Sequence, residues 1–450
     1  MLLVSRQRFD RALAAVARFI LRIFFREIEV VGLDNVPMRG PLLVVSNHGN
    51  GLVDGMLVFG FVPRPSRFLG KSTLWDHPVA KYLVRLAGAI PVYRRQDEGV
   101  DTSQNARTFE RSHEELVAQG SIAIFPEGVS HEELSLMPLK TGVARIALEA
   151  EEKFGPLGVR ILPVGLNFEA PDLFRSRALV QIGEPIEVEA GGAGEEREAV
   201  RSLTATVERG LRAVTLNYES WREAELLHCA AEVYSRPAVE APLRKKLSKQ
   251  FALKKAFLSG YRELAGESPE LVAEVFGVTG NYDRLLRRLR LEDRQVAASY
   301  PRGLIVRFLF RKIWSLAFWR PLAFVGLLLN WLPYKIPGWV TRRLGLSTDQ
   351  RATYKVLMSM VLFPVFWVLA CALVTWKLGA WAGLVTIVLA PITGYLALTY
   401  AETWRALRDE SRAYLTLKGR RGVAEELKRR RQAVFDEVDK LVRIYTERET

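Results

Sequence analysis

Residues 41–51 read Pro41-Leu42-Leu43-Val44-Val45-Ser46-Asn47-His48-Gly49-Asn50-Gly51, five apolar residues followed directly by polar residues and glycine. A short apolar run bounded by turn residues predicts a buried β-strand. Residues 121–125 and 161–166 have the same character, and helical patterns lie near 52–60, 74–87, 105–119 and 139–154. This alternation predicts an α/β domain over residues 29–194, with a largely parallel sheet flanked by helices. Gly191-Gly192-Ala193-Gly194 reads as the linker that follows it.

The N-terminal residues 1–28 form a predicted amphipathic helix. At about 100° per residue, one stripe about 80° wide collects the basic side chains, and large apolar residues lie opposite. The basic residues are Arg8, Arg11, Arg18, Arg22 and Arg26. This pattern is typical of a helix in the membrane interface, and the alternative is a helix packed on its own domain with its arginines in water. The same arginines interrupt the apolar stretch, so we expect no signal peptide.

The C-terminal half predicts a helical region over 195–303, a membrane-associated segment over 304–400 and a basic helical tail over 401–450. Residues 356–376 and 378–400 carry no charge, and each run is long enough to cross a bilayer core of about 30 Å. They predict a two-helix transmembrane hairpin over 356–400; the alternative is a buried apolar helix pair in a soluble domain. Residues 321–333, behind Arg320, are too few to span and read as interfacial or re-entrant.

Charge distribution favours a membrane protein over a nucleic-acid-binding one. The formal net charge of +14 suits a nucleic acid, an anionic membrane or an anionic substrate. No zinc spacing, helix-turn-helix signal or RNP-like motif accompanies it, so we expect no nucleic-acid partner. An even number of spans with basic residues at both ends predicts that the α/β domain faces the cytoplasm. Cys229 and Cys371 are the two cysteines, which makes a disulfide framework unexpected.

His48 and Asp54 follow the first predicted strand. Histidine suits a general base near neutral pH, and it needs a partner on its second ring nitrogen, which Asp54 could provide. Six residues of regular helix rotate by about 600°, or about 240° net, so the two side chains would point apart. They meet only if the intervening chain is not helical. Gly49 and Gly51 provide that freedom. The alternative is a surface loop with a hydrogen-bonded histidine.

Phe125-Pro126-Glu127-Gly128 follows the second predicted strand. A glutamate there can reach a cleft at the carboxyl ends of a parallel sheet, where ligands bind; the alternative is a turn with a solvated carboxylate. Other motifs fail: Gly70-Lys71-Ser72 lacks the first glycine of a P-loop, and no Gly-x-Ser-x-Gly elbow occurs. The remaining histidines lack metal-ligand spacing, so we expect no metal.

Taken together, these segments resemble the glycerolipid acyltransferase superfamily of the phosphatidic-acid-synthesising type, over residues 28–190. His48 and Asp54 match its first motif, residues 88–94 (Gly-Ala-Ile-Pro-Val-Tyr-Arg) its second, residues 125–128 its third, and residues 161–164 its fourth. Five residues separate His48 from Asp54, where most of the superfamily has four. This form is most similar to the fungal glycerol-3-phosphate and dihydroxyacetone-phosphate acyltransferases and their bacterial relatives.

The resemblance implies transfer of a fatty acyl group from acyl-CoA or acyl carrier protein to a hydroxyl of glycerol 3-phosphate in phospholipid biosynthesis. It implies no further cofactor. His48 would be the general base, oriented by Asp54. The implied substrate-binding residues are Phe125, Pro126, Glu127, Gly128, Arg94 and Lys140. Among these, Arg94 would grip the phosphate with help from Arg95 or Lys140, and Glu127 and Gly128 would hold the glycerol hydroxyls.

Two alternatives stay open at this point. The acceptor could instead be lysophosphatidic acid or another lysophospholipid, since the sequence does not show the size of the pocket. The chain could also be a non-catalytic membrane protein that binds anionic lipid. For Arg94, the alternative to a phosphate ligand is a surface salt bridge.

Overall fold

A computed structural model describes residues 2–76, 80–94, 97, 101–189, 196–236, 246–298 and 302–449. The chain divides into two compact units. The first unit contains Met1–Asn217 and Leu346–Thr353, and the second contains Tyr218–Gly345 and Tyr354–Thr450. The predicted linker at 191–194 and Arg95 lie outside the described residues, and the predicted domain boundaries stay predictions.

The first unit is built on one sheet. Its described strands are β1 (Glu27–Val31), β2 (Leu42–Ser46), β3 (Arg67–Lys71), β4 (Ile90–Val92), β5 (Ser121–Ile124), β6 (Arg160–Phe168), β7 (Arg177–Ile182) and β8 (Ile186–Glu187). Their order is β1-β7-β6-β2-β5-β3-β4, and β8 pairs with β6. Strands β2 to β6 are mutually parallel, whereas β7, its parallel neighbour β1, and β8 run opposite to them. The predicted α/β fold with a largely parallel sheet is therefore confirmed.

Helices cover both faces of this sheet. They are α1 (Leu2–Phe24), α2 (Leu52–Phe61), α3 (Ala80–Leu86), α4 (Asn105–Val117), α5 (Gly142–Phe154) and α6 (Glu196–Val214). Successive strand residues face opposite sides. Accordingly, Leu69 packs against the core shared with α4, α5 and α6, while its neighbour Phe68 packs against α1 and α2. Because β2 to β6 are parallel, their carboxyl ends meet at one edge, which is where the chain leaves β2 toward His48.

Helix α1 has one packed side and one apolar side that is exposed. Leu21 and Phe24 are buried, and Arg18 donates from Nη1 to the Gly60 carbonyl at 2.9 Å. The helix therefore packs on its own domain, as the alternative prediction proposed. Exposed large apolar side chains nonetheless remain on its outer side, namely Phe9, Val16, Phe19 and Ile23. The interfacial role of α1 stays a prediction.

The described part of the second unit is helical. Its helices are α7 (Trp221–Tyr234), α8 (Leu247–Glu267), α9 (Pro269–Leu289), α10 (Asp293–Ala297), α11 (Arg302–Arg343), α12 (Thr348–Leu378), α13 (Ala380–Gly419) and α14 (Arg421–Glu449); the first residues of α12 belong to the first unit. A buried polar cluster ties α9, α10 and α14, since Asp293 accepts from the Tyr282 hydroxyl at 2.8 Å and from Arg431 Nε at 2.9 Å.

Three of the described helices are long and apolar enough to cross a membrane: Phe310–Arg343, Thr348–Leu378 and Ala380–Gly419. The last two correspond to the predicted hairpin, and Gly379 (φ 89°) separates them. The first corrects the expectation of a short segment at 321–333. Arg320 and the prolines at 321 and 333, which bounded the expected segment, lie inside α11, as does Pro337. Prolines are tolerated in apolar helices whose neighbours compensate for the missing N–H.

Helices α11 and α13 meet at small residues. A Cβ at Gly326 would lie 1.9 Å from the Thr393 carbonyl oxygen, so the backbones approach too closely for any larger residue. One turn later, buried Asn330 donates to the Ala390 carbonyl at 3.2 Å and accepts from Trp367 Nε1 at 2.8 Å. One amide therefore joins α11, α12 and α13. This combination of small residues with a shared polar group is typical of helix packing in membranes.

Candidate active site

His48 and Asp54 lie at the carboxyl edge of the parallel strands and contact each other. His48 Nδ1 and Asp54 Oδ2 are 3.0 Å apart. The loop between β2 and α2 is not helical, and Gly51 within it has φ 52° and ψ −128°. This is the backbone freedom that the sequence analysis required for the two side chains to meet.

Asp54 is fully buried at the first turn of α2. Its Oδ2 also accepts the Asn50 N–H at 2.6 Å. Burial raises the pKa of the Asp54 carboxyl above its ordinary value, and the hydrogen bonds from His48 and Asn50 oppose that rise. The carboxylate is therefore a fixed partner for the imidazole, held by the same loop that carries His48.

The His48 ring is held on its face as well as at Nδ1. It stacks on Phe125 with a centroid distance of 4.0 Å and an angle of 12° between the rings. Its side chain is 19% exposed, so the ring reaches solvent. An Nδ1–H donated to Asp54 leaves the lone pair on Nε2. Within the part of the chain that the structure describes, that Nε2 has no hydrogen-bond partner and is available to accept a proton.

Asn47 fixes the backbone directly before His48. Its Nδ2 donates to the Leu166 carbonyl at 3.0 Å, and its Oδ1 accepts the Leu166 N–H at 2.8 Å. The side-chain amide thereby extends the pairing of β2 with β6 by one residue. The start of the loop that carries His48 is attached to the sheet by these two side-chain hydrogen bonds.

Glu127 faces the inside of the protein, contrary to the expectation that it holds glycerol hydroxyls. Its side chain has no exposed surface. Oε1 accepts the His48 N–H at 2.8 Å, while Oε2 accepts the Met137 N–H at 2.9 Å and bonds to His131 Nε2. Both carboxylate oxygens are engaged within the protein, so the geometry speaks against a contact with glycerol hydroxyls, and that contact stays a prediction. The residue joins the two motifs that carry His48 and Gly128.

His131 contacts both Glu127 and the backbone of His48. Its N–H donates to the His48 carbonyl at 3.1 Å, and its ring bonds to Glu127. The bond to Glu127 raises the pKa of the His131 imidazole above its ordinary value, with smaller contributions from Glu133 and Asp349. The separation of four residues from Glu127 indicated that His131 could help to shape the pocket, although a histidine without a role was the favoured interpretation.

Pro126, Gly128 and Lys140 lie together beside Glu127 and His131. The Lys140 N–H donates to the Pro126 carbonyl at 2.8 Å, and Gly128 adopts φ 75°. The Lys140 side chain is exposed and passes over Gly128, because a Cβ placed there would lie 3.5 Å from its Cγ. Pro126 is buried within the turn, and its predicted contact with a substrate stays a prediction.

Arg94 follows β4 at the same edge. Its Nη1 donates to the Gly128 carbonyl at 2.6 Å, and Nε and Nη2 form a bidentate pair with Asp97 at 3.0 and 2.8 Å. Arg94 lowers the pKa of the Asp97 carboxyl, and Lys71 adds to this effect. The structure therefore contains the ion pair that was the alternative prediction, and it also places Arg94 against the Gly128 turn. The side chain is 22% exposed, which leaves it within reach of an anion.

Lys71 is a basic residue at this edge that the sequence analysis considered only as part of a failed P-loop. It ends β3 and is exposed, and its Cα pairs with Val92, two residues before Arg94. The signal for its position was the end of a strand next to the strand that leads to Glu127. Lys71, Arg94 and Lys140 give this edge a positive charge suited to a phosphate. No group of metal-ligating side chains occurs among the described residues.

Comparison with known proteins agrees with these motifs. The family model described as Acyltransferase matches residues 27–167. The chain is 25% identical to glycerol-3-phosphate O-acyltransferase 1 of Saccharomyces cerevisiae over 80% of its own length and 60% of that protein. It is 32% identical to glycerol-3-phosphate O-acyltransferase 2 of the same yeast, over 43% of this chain and 26% of that one. The chain thus spans three fifths or less of the length of these relatives.

Among solved structures, the chain is similar to the crystal structure of the 1-acyl-sn-glycerophosphate (LPA) acyltransferase, PlsC, from Thermotoga maritima. The TM-score is 0.35 and the identity 20%, over 47% of this chain and 80% of that one. The family match is the stronger finding, because it covers β1 to β6 together with all four motifs. The resemblance predicted from the sequence is confirmed over this range, and residues 27–167 are an acyltransferase-family domain.

Proposed function

We propose that this protein transfers a fatty acyl group from a thioester, acyl-CoA or acyl carrier protein, to a hydroxyl of glycerol 3-phosphate in phospholipid biosynthesis. The observation that carries the proposal is the His48–Asp54 pair, 3.0 Å apart at the carboxyl edge of the sheet. The basic residues at that edge suit a phosphorylated acceptor. Two relatives named glycerol-3-phosphate O-acyltransferase support this choice of acceptor.

The proposed reaction is direct transfer. The acceptor oxygen bonds to the thioester carbonyl carbon while its proton passes to Nε2 of His48. The tetrahedral intermediate then breaks its carbon–sulfur bond, and the leaving thiolate takes the proton back from His48. Asp54 holds the imidazole in the required tautomer and stabilises its positive charge. General-base catalysis of this kind contributes about 10²–10⁴-fold to the rate.

Arg94 and Lys140 are the proposed contacts for the acceptor phosphate, with Lys71 beside them. Arg94 keeps free N–H groups beyond its bonds to Asp97 and Gly128, because a guanidinium carries five donors. Phe125 and Gly128 line the approach to His48. Glu127 acts from behind, as a positioning residue that fixes the His48 backbone.

The test is acyl transfer by the full chain in lipid nanodiscs. Labelled acyl-CoA and acyl carrier protein are each offered with glycerol 3-phosphate, dihydroxyacetone phosphate and lysophosphatidic acid. We expect acylation of glycerol 3-phosphate, and a loss of about 10²–10⁴-fold in His48→Ala with unchanged thermal unfolding. His228→Ala, at an exposed histidine of the second unit, is the control. Transfer only to lysophosphatidic acid would select the alternative acceptor, and no transfer to any acceptor would leave a non-catalytic lipid-binding protein.

We also propose that the protein is integral to the membrane, with the first unit facing the cytoplasm. Residues 346–353 belong to the first unit, and no candidate span occurs among the described residues before α11. Both ends of α11 are then on the side of the first unit, which leaves α12 and α13 as the crossing pair. Cysteine labelling in sealed vesicles tests this. Position 379 should react from the far side, and positions 170 and 436 from the cytoplasmic side.

A further inference from the structure

Residues 346–353 lie far along the chain from the sheet, yet they pack within the first unit. They comprise the connection after α11 and the first turns of α12, one of the helices able to cross a membrane. Asp349 and Ala352 are buried there. The segment is held internally by Arg351 Nε, which donates to the Leu346 carbonyl at 2.8 Å. It is thus an ordered part of the acyltransferase unit that lies outside the matched range of 27–167.

Thr353 contacts the loop between His48 and Asp54. Its hydroxyl accepts the N–H of Leu52 at 2.9 Å. Leu52 is the first residue of α2, and the N-cap position before it is Gly51, which has no side chain to cap the helix. The first N–H groups of a helix have no partner within the helix and need an acceptor from elsewhere. Thr353 supplies that acceptor from 301 residues away.

The contact at Gly51 is too close for any other residue. A Cβ there would lie 2.6 Å from the Thr353 hydroxyl oxygen and 3.1 Å from the Asp349 carbonyl oxygen. The positive φ of Gly51 also favours glycine. The Gly51 N–H donates to Ser130 Oγ at 3.3 Å, which links the same residue to the loop after Glu127. The catalytic loop is therefore enclosed between residues 130–132 and the start of α12.

A second contact fixes the other end of the segment. The Thr348 N–H bonds to the carboxylate of Glu132, an exposed residue next to His131. Arg351 also lies 3.9 Å from Asp172. The segment thus bonds to both loops that hold the imidazole, the one at 51–52 and the one at 130–132.

We infer that Thr353 is a positioning residue for the reaction: its hydroxyl caps α2 and so fixes Asp54, in the first turn of that helix, against His48. This inference rests on the proposed function. Thr353 does not touch the imidazole, and it acts through the Leu52 N–H. The distance between His48 and Asp54 then depends on the position of the start of α12, a helix that continues into the membrane-associated part of the chain.

The test compares Thr353→Val, which removes the hydroxyl and keeps the branched side chain, with Thr353→Ser, which keeps the hydroxyl. Both are assayed as full chains in nanodiscs. Loss of a helix cap corresponds to about a tenfold change. We expect kcat to fall about tenfold in Thr353→Val, with KM for both substrates within about twofold, and to return to near the wild-type value in Thr353→Ser. A general structural defect would not give this split between kcat and KM with rescue by serine.

Glu132→Ala keeps the inference testable if Thr353→Val fails to fold, because Glu132 is exposed and only anchors the segment. It should lower kcat several-fold with KM unchanged. Unchanged kcat in folded Thr353→Val, or in Glu132→Ala where the valine variant does not fold, overturns the inference. In that case wild-type enzyme is still active and His48→Ala inactive. Failure of the proposed function is different, since wild-type enzyme itself would then transfer no acyl group.

Discussion

The backbone N–H of His48 donates to Oε1 of Glu127 at 2.8 Å, which connects two segments 79 residues apart in the chain. His48 is therefore held by two carboxylates: Glu127 accepts its backbone N–H, and Asp54 contacts its ring. Glu127 has this role because it is buried and because its second oxygen is engaged by His131 and the Met137 N–H. The position of the proposed general base His48 therefore depends on a buried carboxylate on another loop.

Glu127→Gln should reduce both stability and turnover. A glutamine retains one acceptor oxygen and presents an NH₂ group to donors that previously met an oxygen. Leaving a buried donor unsatisfied costs about 1–3 kcal/mol of the free energy of unfolding. A small displacement of His48 should lower kcat about a hundredfold. Glu152→Gln, at an exposed glutamate of α5, is the control. Equal kcat in the two variants, measured at equal folded concentration, would contradict the positioning role.

Arg94→Gln and Asp97→Asn should act in opposite directions. Loss of a charged hydrogen bond to phosphate costs about 1.5–3 kcal/mol, so KM for glycerol 3-phosphate should rise at least about tenfold in Arg94→Gln. Asp97→Asn removes the anion that now pairs with Arg94, so KM should stay level or fall. Steady-state kinetics with varied acceptor measures both. A similar rise of KM in both variants would mean that the ion pair only supports the turn.

The pH dependence of stability should reveal His131. Its pKa is raised in the folded state by Glu127, with contributions from Glu133 and Asp349. A raised pKa means that the protonated form stabilises the fold below the unfolded pKa of about 6.5, and that this contribution is lost as pH rises through the folded pKa. The melting temperature of the wild-type protein should therefore fall above about pH 6.5. In His131→Gln that slope should be weaker, and an unchanged slope would refute the assignment.

Two glycines of α11 should respond differently to alanine. A Cβ at Gly326 meets the Thr393 carbonyl at 1.9 Å, whereas at Gly338 nothing lies within 4 Å. Gly326→Ala should separate α11 from α13 and lower the melting temperature in detergent. Gly338→Ala should leave it unchanged or raise it slightly, because alanine favours a helix by about 0.5–1 kcal/mol over glycine. If both variants had the same melting temperature, the close approach at Gly326 would not stabilise the protein.

The sequence predicts the interior of the sheet better than its edges. Strands β2, β5 and β6 are apolar runs and were found where expected. Strand β1 (Glu27–Val31) and strand β3 (Arg67–Lys71) were not predicted, because both carry charged residues and lie nearer the rims of the sheet, where one-sided exposure removes the continuous apolar signal. The meeting of His48 and Asp54 was predictable, since glycine between them is a local signal.

Other parts of the site depend on contacts that no local pattern contains. Whether Glu127 faces a ligand or the interior is decided by donors at positions 48, 131 and 137, which only the fold brings together. Thr353 is still more remote in sequence from the site. A threonine near the start of an apolar helix gives no local indication of the N–H that its hydroxyl accepts. Helix α11 was missed as one element because proline interrupts most soluble helices and because the charge of Arg320 shortens the uncharged run; in the fold, the helix continues through both and packs against α13.

The Asn47 amide copies a peptide group, with one donor and one acceptor aligned on Leu166. An amide of this kind can lose ammonia as a protein ages, and the product is aspartate. The new carboxylate would then oppose the Leu166 carbonyl, oxygen against oxygen, at the residue just before the imidazole. Slow loss of this one nitrogen would thus displace the residue next to His48 in aged molecules, even though their sequence was translated correctly.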